Sequence, residues 1–167
     1  GALIGKGYIK DNTLMLESKT RGIPYEVGYN IDAFPERKNG DAWSFSSMKD
    51  MEDMIRYLKQ ILTKERFIPE EYKTASKKQR WRMLQGLFDT CCVNLEDKHE
   101  FVTESKQLAL DVREVIFSLG MTCIWNTIHK NGEKDKYVII PDIDTNEERK
   151  PQTDKYRPWI NEGEAGV

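Results

Sequence analysis

The segment Arg80–Thr90 places Trp81, Leu84, Leu87 and Phe88 on one apolar helical face, and Gly86 stands among them. A glycine inside a helix costs about 1 kcal/mol relative to alanine, so it normally has a packing reason. Close approach of another helix backbone is the obvious one. A partner stretch exists at Gly1–Gly7 (GALIGKG), which is short, apolar and ends on a glycine as a helix end does. Gly1–Gly7 and Leu84–Cys92 each open a run that continues into strands and then an amphipathic helix. An uneven repeat of this kind predicts a pseudo-twofold arrangement, with the two opening helices packed at Gly1, Gly5 and Gly86.

Local patterning fills in the rest. Tyr8–Glu17 alternates bulky and polar residues around a turn at Asp11-Asn12, which reads as two short strands. Tyr25–Phe34 and Ala42–Ser46 read as further strands, separated by the turn-rich run Pro35–Asp41. Met51, Met54, Ile55, Leu58, Ile61 and Leu62 fall at helical spacing, with Ser47 as N-cap and Asp50 at the capping-box position. Ile68-Pro69 breaks the chain before Glu70–Gln79 leads into the Gly86 helix. His99–Thr103 is a strand. Ser105 caps a third helix, which buries Leu108, Val112, Val115, Ile116 and Leu119 and stops at Gly120. Met121–Ile128 and Lys136–Ile140 form a hairpin.

At 167 residues and 38% hydrophobic, the chain is one domain with enough apolar surface for a core. Lysine and arginine number 26 and the acids 28, an unpromising balance for a nucleic-acid binder. The acidity is concentrated beyond Pro141, where seven acids face four bases, and Gly1–Ile140 carries 22 bases and 21 acids. No stretch approaches the roughly 18–20 apolar residues of a membrane span, and no signal peptide is visible. Cys91, Cys92 and Cys123 lack a disulfide framework or CxxC spacing, so they read as buried thiols rather than zinc ligands. The expectation is an intracellular, cytoplasmic protein.

Three quoted segments resemble the LAGLIDADG homing endonucleases, particularly the endonuclease domains inserted in inteins. FIPEEYKTASKKQRWRMLQGLFDT, from Phe67 to Thr90, is similar to the segment leading into that family's second signature helix. EFVTESKQLALDVREVIFSLG, from Glu100 to Gly120, is similar to the strand and helix that follow it. GALIGKGYI resembles the first signature helix without its first residues. The resemblance implies an α+β fold of two αββαββα repeats with pseudo-twofold symmetry, about 1–66 and 67–140, the first irregular. Residues 141–167 would form an acidic extended tail, and KYRPWINEGEAGV within it faintly resembles the junction with a splicing domain. The family's sheets lie in the DNA major groove, and one acid per repeat holds the Mg²⁺ that hydrolyses a phosphodiester.

Both acid positions depart from that pattern. The residue before the signature's final glycine is Lys6 in the first half and Cys91 in the second, where the glycine is also replaced, by Cys92. A lysine puts positive charge where Mg²⁺ should sit, and a thiol is a soft ligand poorly matched to a hard cation. Asp89 lies about 200° around its helix from Cys91, and Asp11 lies beyond the first helix. A family lysine before the Ile-Pro pair corresponds to Arg66, with Lys64 close by; Lys64, Arg66 and Lys77-Lys78 otherwise read as a solvated face.

The expectation is therefore a degenerate endonuclease domain, with no metal and no active catalytic residue, and with weak or lost binding of double-stranded DNA. A flanking intein splicing domain is the expected neighbour, since the chain itself has no N-terminal Cys or Ser nucleophile and no terminal His-Asn. Candidate phosphate contacts are Lys10, Lys19 and Arg21 on the first sheet, and Lys130, Lys134 and Lys136 at the second hairpin. Tyr8, Tyr29, Trp43, Trp125 and Tyr137 lie among the strands, facing either the groove or the helices. Two alternatives stand beside this reading: a live nuclease using Asp89 or Asp11 with Mg²⁺, and a non-catalytic nucleic-acid-binding or splicing-cofactor module. A Cys91 or Cys92 nucleophile with His99 as base is a weaker one, since no third orienting group is evident.

Overall fold

A computed structural model of the chain describes residues 1–95 and 98–142, with the backbone alone at 92–95 and 98. The elements run α1 (Ala2–Lys6), β1 (Gly7–Lys10), β2 (Thr13–Glu17), α2 (Gly22–Ile31), β3 (Phe34–Arg37), β4 (Ala42–Ser46) and α3 (Glu52–Ile61). They continue with α4 (Glu70–Lys73), α5 (Lys77–Cys91), β5 (Cys92–Leu95), β6 (Lys98–Thr103), α6 (Lys106–Ser118), β7 (Thr122–Ile128) and β8 (Lys136–Asp142). The tail reading for 143–167, including the segment similar to a splicing-domain junction, lies outside the described residues.

Two antiparallel sheets result, ordered β1-β2-β4-β3 and β5-β6-β8-β7. Each is built the same way: a hairpin, a helix that crosses over, and a second hairpin inserted beside the inner strand of the first. The Asp11-Asn12 turn has positive φ at both residues, as a two-residue hairpin loop requires. It sets Lys10 against Thr13 and Gly7 against Leu16.

The second segment expected to be strand is a helix. Ile23, Val27 and Ile31 recur every four residues, and all three pack against the core of Leu14, Leu16, Phe45 and Leu58. Pro24 falls in the first turn, where its missing N–H is harmless. A side chain at Gly28 would meet the Ala33 carbonyl oxygen at 2.6 Å, and Asp32 ends the helix with φ 56°. With α2 in place the first half has a helix between its two hairpins, as the second half does with α6. The irregularity expected of the first repeat came from misreading this segment. β3 begins at Phe34 and runs to Arg37, into the stretch Pro35–Asp41 expected to be turn.

The N-cap of α3 is also displaced. Met51 holds that position directly before Glu52; Ser47 donates to the Asp32 carbonyl, and the Asp50 carboxylate accepts from the Glu52 N–H at the first residue of the helix. Ser105 caps α6 as expected, its Oγ accepting from Leu108 N at 3.1 Å and donating to the Arg66 carbonyl at 2.7 Å. Gly120 follows that helix with φ 80°.

The larger core joins α5, α6 and the inner face of the second sheet through Leu84, Leu87, Phe88, Phe101, Val112, Ile116 and Ile139. Ile4 of α1 and Ile61 of α3 belong to this same core, so the first half is anchored into the second. Asp111 is a buried acid in that layer, only 2% exposed. Its carboxylate accepts from Ile68 N at 2.8 Å and from the Gln107 amide at 2.9 Å, and it pairs with Lys73 at 3.4 Å. No helix among the described residues is long and apolar enough to cross a membrane.

The paired helix ends and the sheet faces

Helices α1 and α5 approach until almost no side chain fits between them. A Cβ on Gly1 would lie 2.0 Å from the Met83 carbonyl oxygen, and one on Gly86 2.6 Å from Ala2 N. One turn later, a Cβ on Gly5 would lie 2.3 Å from Thr90 Oγ1 and 2.9 Å from Cys91 Sγ. Gly1 meets Gly86 and Gly5 meets Thr90, both 85 positions apart, so the helices run parallel. The same offset joins Lys6 to Cys91. These two residues end α1 and α5, and a strand begins immediately after each.

Parallel helices that end together bring two negative dipole ends to one place. Cations answer them. Arg66 lies there half-buried and donates from Nη1 to the carbonyl oxygens of Ile4 at 3.0 Å and Gly5 at 3.3 Å, capping α1. Burial lowers the Arg66 pKa, opposed by Cys91 once it ionises and by Glu17. Lys6 is exposed at the same level. Burial raises the Cys91 thiol above its ordinary value; the Thr90 hydrogen bond and the charges of Lys6 and Arg66 pull only partly the other way.

Of the two basic candidates before Ile68-Pro69, Arg66 is thus at the helix ends, and Lys64 is exposed in the preceding connection. Lys77 and Lys78 are exposed at the start of α5, at its far end from Cys91. Glu17 escaped the sequence reading. The hairpin register that sets Gly7 against Leu16 returns it to the level of Lys6, a signal contained in the Asp11-Asn12 turn.

These residues do not fit a divalent metal. Mg²⁺ wants several hard oxygen ligands, and around the two helix ends stand an ammonium, a guanidinium, a buried thiol and the single carboxylate of Glu17, which faces the Arg66 charge. Among the described residues no group of three or more His, Cys, Asp or Glu side chains could hold an ion. Asp11 sits at the hairpin tip, five residues and about 17 Å along the strand from the end of α1. Asp89 is exposed on α5 and faces away from the Cys91 side chain. A thiol nucleophile is equally ill served: the raised pKa is the reverse of activation, and the β5–β6 register sets His99 opposite Asn94 rather than at Cys91.

The sheet faces sort the other candidates. In the first sheet, Leu16 pairs with Trp43, and both face the helices. Trp43 is buried, donates from Nε1 to the Ser18 carbonyl at 3.1 Å, and meets the Tyr25 ring edge-on. The outward face therefore carries Tyr8, Lys10, Thr13, Met15, Ser44 and Phe34.

Lys19 and Arg21 were expected on this sheet but lie in the β2–α2 connection. Arg21 stacks on Tyr25, 5.0 Å from the ring centroid, because the strand ends at Glu17 and the chain turns into α2. Tyr29 is exposed on α2, not on a strand. In the second sheet, Trp125 and Tyr137 pack together at 5.7 Å against the core, and Arg113 covers Trp125. Lys136 starts β8, and Lys130 and Lys134 are exposed in the β7–β8 loop, which His129 Nδ1 and Asp135 Oδ1 close at 2.7 Å.

The architecture is that of the homing endonuclease I-DmoI. Its structure in complex with DNA and Mn is 12% identical, covers 93% of this chain and 90% of that one, and gives a TM-score of 0.59. A structure of mesophilic I-DmoI variants is 13% identical over 85% of this chain and 84% of that one, with a TM-score of 0.56. A replicative DNA helicase, DnaB of Mycobacterium intracellulare, is 34% identical over 84 residues, which are 50% of this chain and 15% of the helicase. No family model matches. At these identities the structural likeness shows the fold alone, the α+β architecture seen in I-DmoI.

Proposed function

We propose that the chain is an endonuclease-type domain of an intein that binds double-stranded DNA weakly and has lost metal-dependent cleavage. The observation that carries this reading is the pair Lys6 and Cys91 at the level ends of two close-packed parallel helices. In this reading a carboxylate stood at each position and a divalent ion between them. Lys6 and Arg66 now supply the positive charge that the helix ends require, so the helix pair survives without an ion. The fold stays because Gly1, Gly5 and Gly86 still permit the close approach.

The likeness to I-DmoI, whose structure was determined with DNA and Mn, supports DNA as the ancestral ligand. The match to a minor part of a replicative helicase fits a domain inserted in a host protein, next to a splicing domain. Residues 1–140, as two repeats, are the endonuclease-like unit in this reading. Lys10, Lys130, Lys134 and Lys136 are its remaining phosphate contacts. A live nuclease using Asp11 or Asp89 is disfavoured by their distance and orientation.

The test is a cleavage assay with Mg²⁺ or Mn²⁺ on duplexes spanning an uninterrupted helicase gene, run beside the variant Lys6→Asp/Cys91→Asp. The parent chain is expected neither to cut nor to bind Mn²⁺ by calorimetry, whereas the variant regains Mn²⁺ binding. Specific cutting by the parent would overturn the reading. Absence of Mn²⁺ binding in a folded variant would overturn the assignment of Lys6 and Cys91.

A further inference from the structure

The outward face of the second sheet is chemically unlike that of the first. Along β7, Cys123 and Trp125 point into the core, and Thr122, Ile124, Asn126 and Ile128 point out. Among the described residues nothing covers Ile124 and Ile128, which are 57% and 42% exposed, unusual for large aliphatics on a strand. The register sets Ile124 against Ile140 and Asn126 against Val138, and Val138 lies against Val102. The middle of this face is therefore hydrocarbon with one amide. Lys136 with the loop lysines Lys130 and Lys134 stands at one end and Asp142 at the other, and the register brings Glu100 beside Ile140, in the row of Ile124.

We infer that this face reads an A·T-rich half-site in the major groove, with Ile124 and Ile128 packed on thymine methyl groups and Asn126 on adenine. The inference rests on the DNA-binding reading and adds the sequence class. Guanine is read chiefly by arginine or lysine, and neither stands in the middle of the face. The thymine C5-methyl is the one major-groove feature that an aliphatic side chain can bind, and an asparagine amide matches adenine N6 and N7. Outward residues on a strand recur about every 6.8 Å, twice the roughly 3.4 Å rise of DNA, so Ile124, Asn126 and Ile128 meet positions about two base pairs apart. The lysines at the hairpin end supply the flanking phosphate contacts that argue for a polyanion rather than a second protein. The first sheet presents Lys10, Thr13 and Ser44 beside Tyr8, Met15 and Phe34, a face of mixed polarity.

The experiment is enrichment of a random-sequence duplex library on the full chain at low salt, followed by replacing thymine with uracil in the enriched duplex. Uracil lacks only the methyl group, so each buried methyl lost should weaken binding about fourfold. The loss is expected in one half-site only, and Ile124→Ser/Ile128→Ser should bind the two duplexes equally. Asn126→Ala should relax the preference at one adenine. Equal affinity of the parent for thymine and uracil duplexes would overturn this inference and leave DNA binding intact. If no duplex is retained, both fall. Concentration-dependent dimerisation abolished by Ile124→Lys would also overturn it, assigning the face to a second copy of the chain.

Discussion

Gly86 lies against Ala2 so closely that a Cβ on the glycine would sit 2.6 Å from the Ala2 backbone nitrogen and 3.1 Å from Gly1 Cα. Both obstacles are backbone, which no rotamer change can move. Gly86→Ala therefore sets two effects against each other. Alanine in a helix interior gains about 1 kcal/mol over glycine, whereas forcing a methyl into a packed interface costs about 1–3 kcal/mol and more against rigid atoms. The variant is expected to be less stable, by a lowered denaturation midpoint in urea. An unchanged or raised midpoint would mean that α1 and α5 are not in contact in solution.

The buried carboxylate of Asp111 ties the Ile68-Pro69 break to α6 through the Ile68 N–H, Gln107 and Lys73. Burial alone would lower the Lys73 pKa. Its hydrogen bonds to Glu114 and Glu70 and the charge of Asp111 raise it overall, so the ammonium persists. Removing Asp111 leaves the buried Ile68 N–H without its acceptor, which typically costs about 1–3 kcal/mol, while Lys73 keeps Glu70 and Glu114. Asp111→Ala should lose that much in equilibrium unfolding. Asp111→Asn, which keeps an acceptor for the Ile68 N–H, should lose less.

The Cys91 thiol gives a pH dependence of definite sign. Its folded-state pKa is raised above the ordinary 9.0, chiefly by burial. Around and above pH 9 the unfolded chain releases this proton while the folded chain keeps it. The contribution is thus complete below pH 9 and is lost as the pH climbs from there through the folded value. Cys91→Ala should flatten the alkaline fall in stability relative to the parent, measured as urea midpoints at about pH 7.5 and about pH 10. Equal slopes would place the thiol in water.

The comparison of sequence with structure turns on what each signal measures. Gly86 and the stripe of Leu84, Leu87 and Phe88 announced a close helix contact because only a missing side chain explains a glycine there. Ser105 and Gly120 marked both ends of α6 because caps act within one turn. The helix Gly22–Ile31 was misread because Tyr25 and Tyr29 suit strands. Its own stripe, Ile23, Val27 and Ile31, is visible in the sequence but spans just over two turns. Trp43 and Arg21 could not be placed from alternation alone: which face of a strand is buried depends on what lies across it.

The sequence by itself placed Lys6 directly before Gly7 and Cys91 directly before Cys92, each at the end of an apolar, glycine-bearing run, because order along the chain is read directly. It also determined the composition of each strand. Only the tertiary structure decided that Lys6, Arg66, Glu17 and Cys91 converge on one pair of helix ends. It took a helix packing 85 positions across the chain, a hairpin turn and the connection before Ile68 to gather them. The same holds for the aliphatic outer face of the second sheet. Strand register is fixed by partners distant in sequence, and it alone aligns Ile124 with Ile140 and turns Trp125 inward.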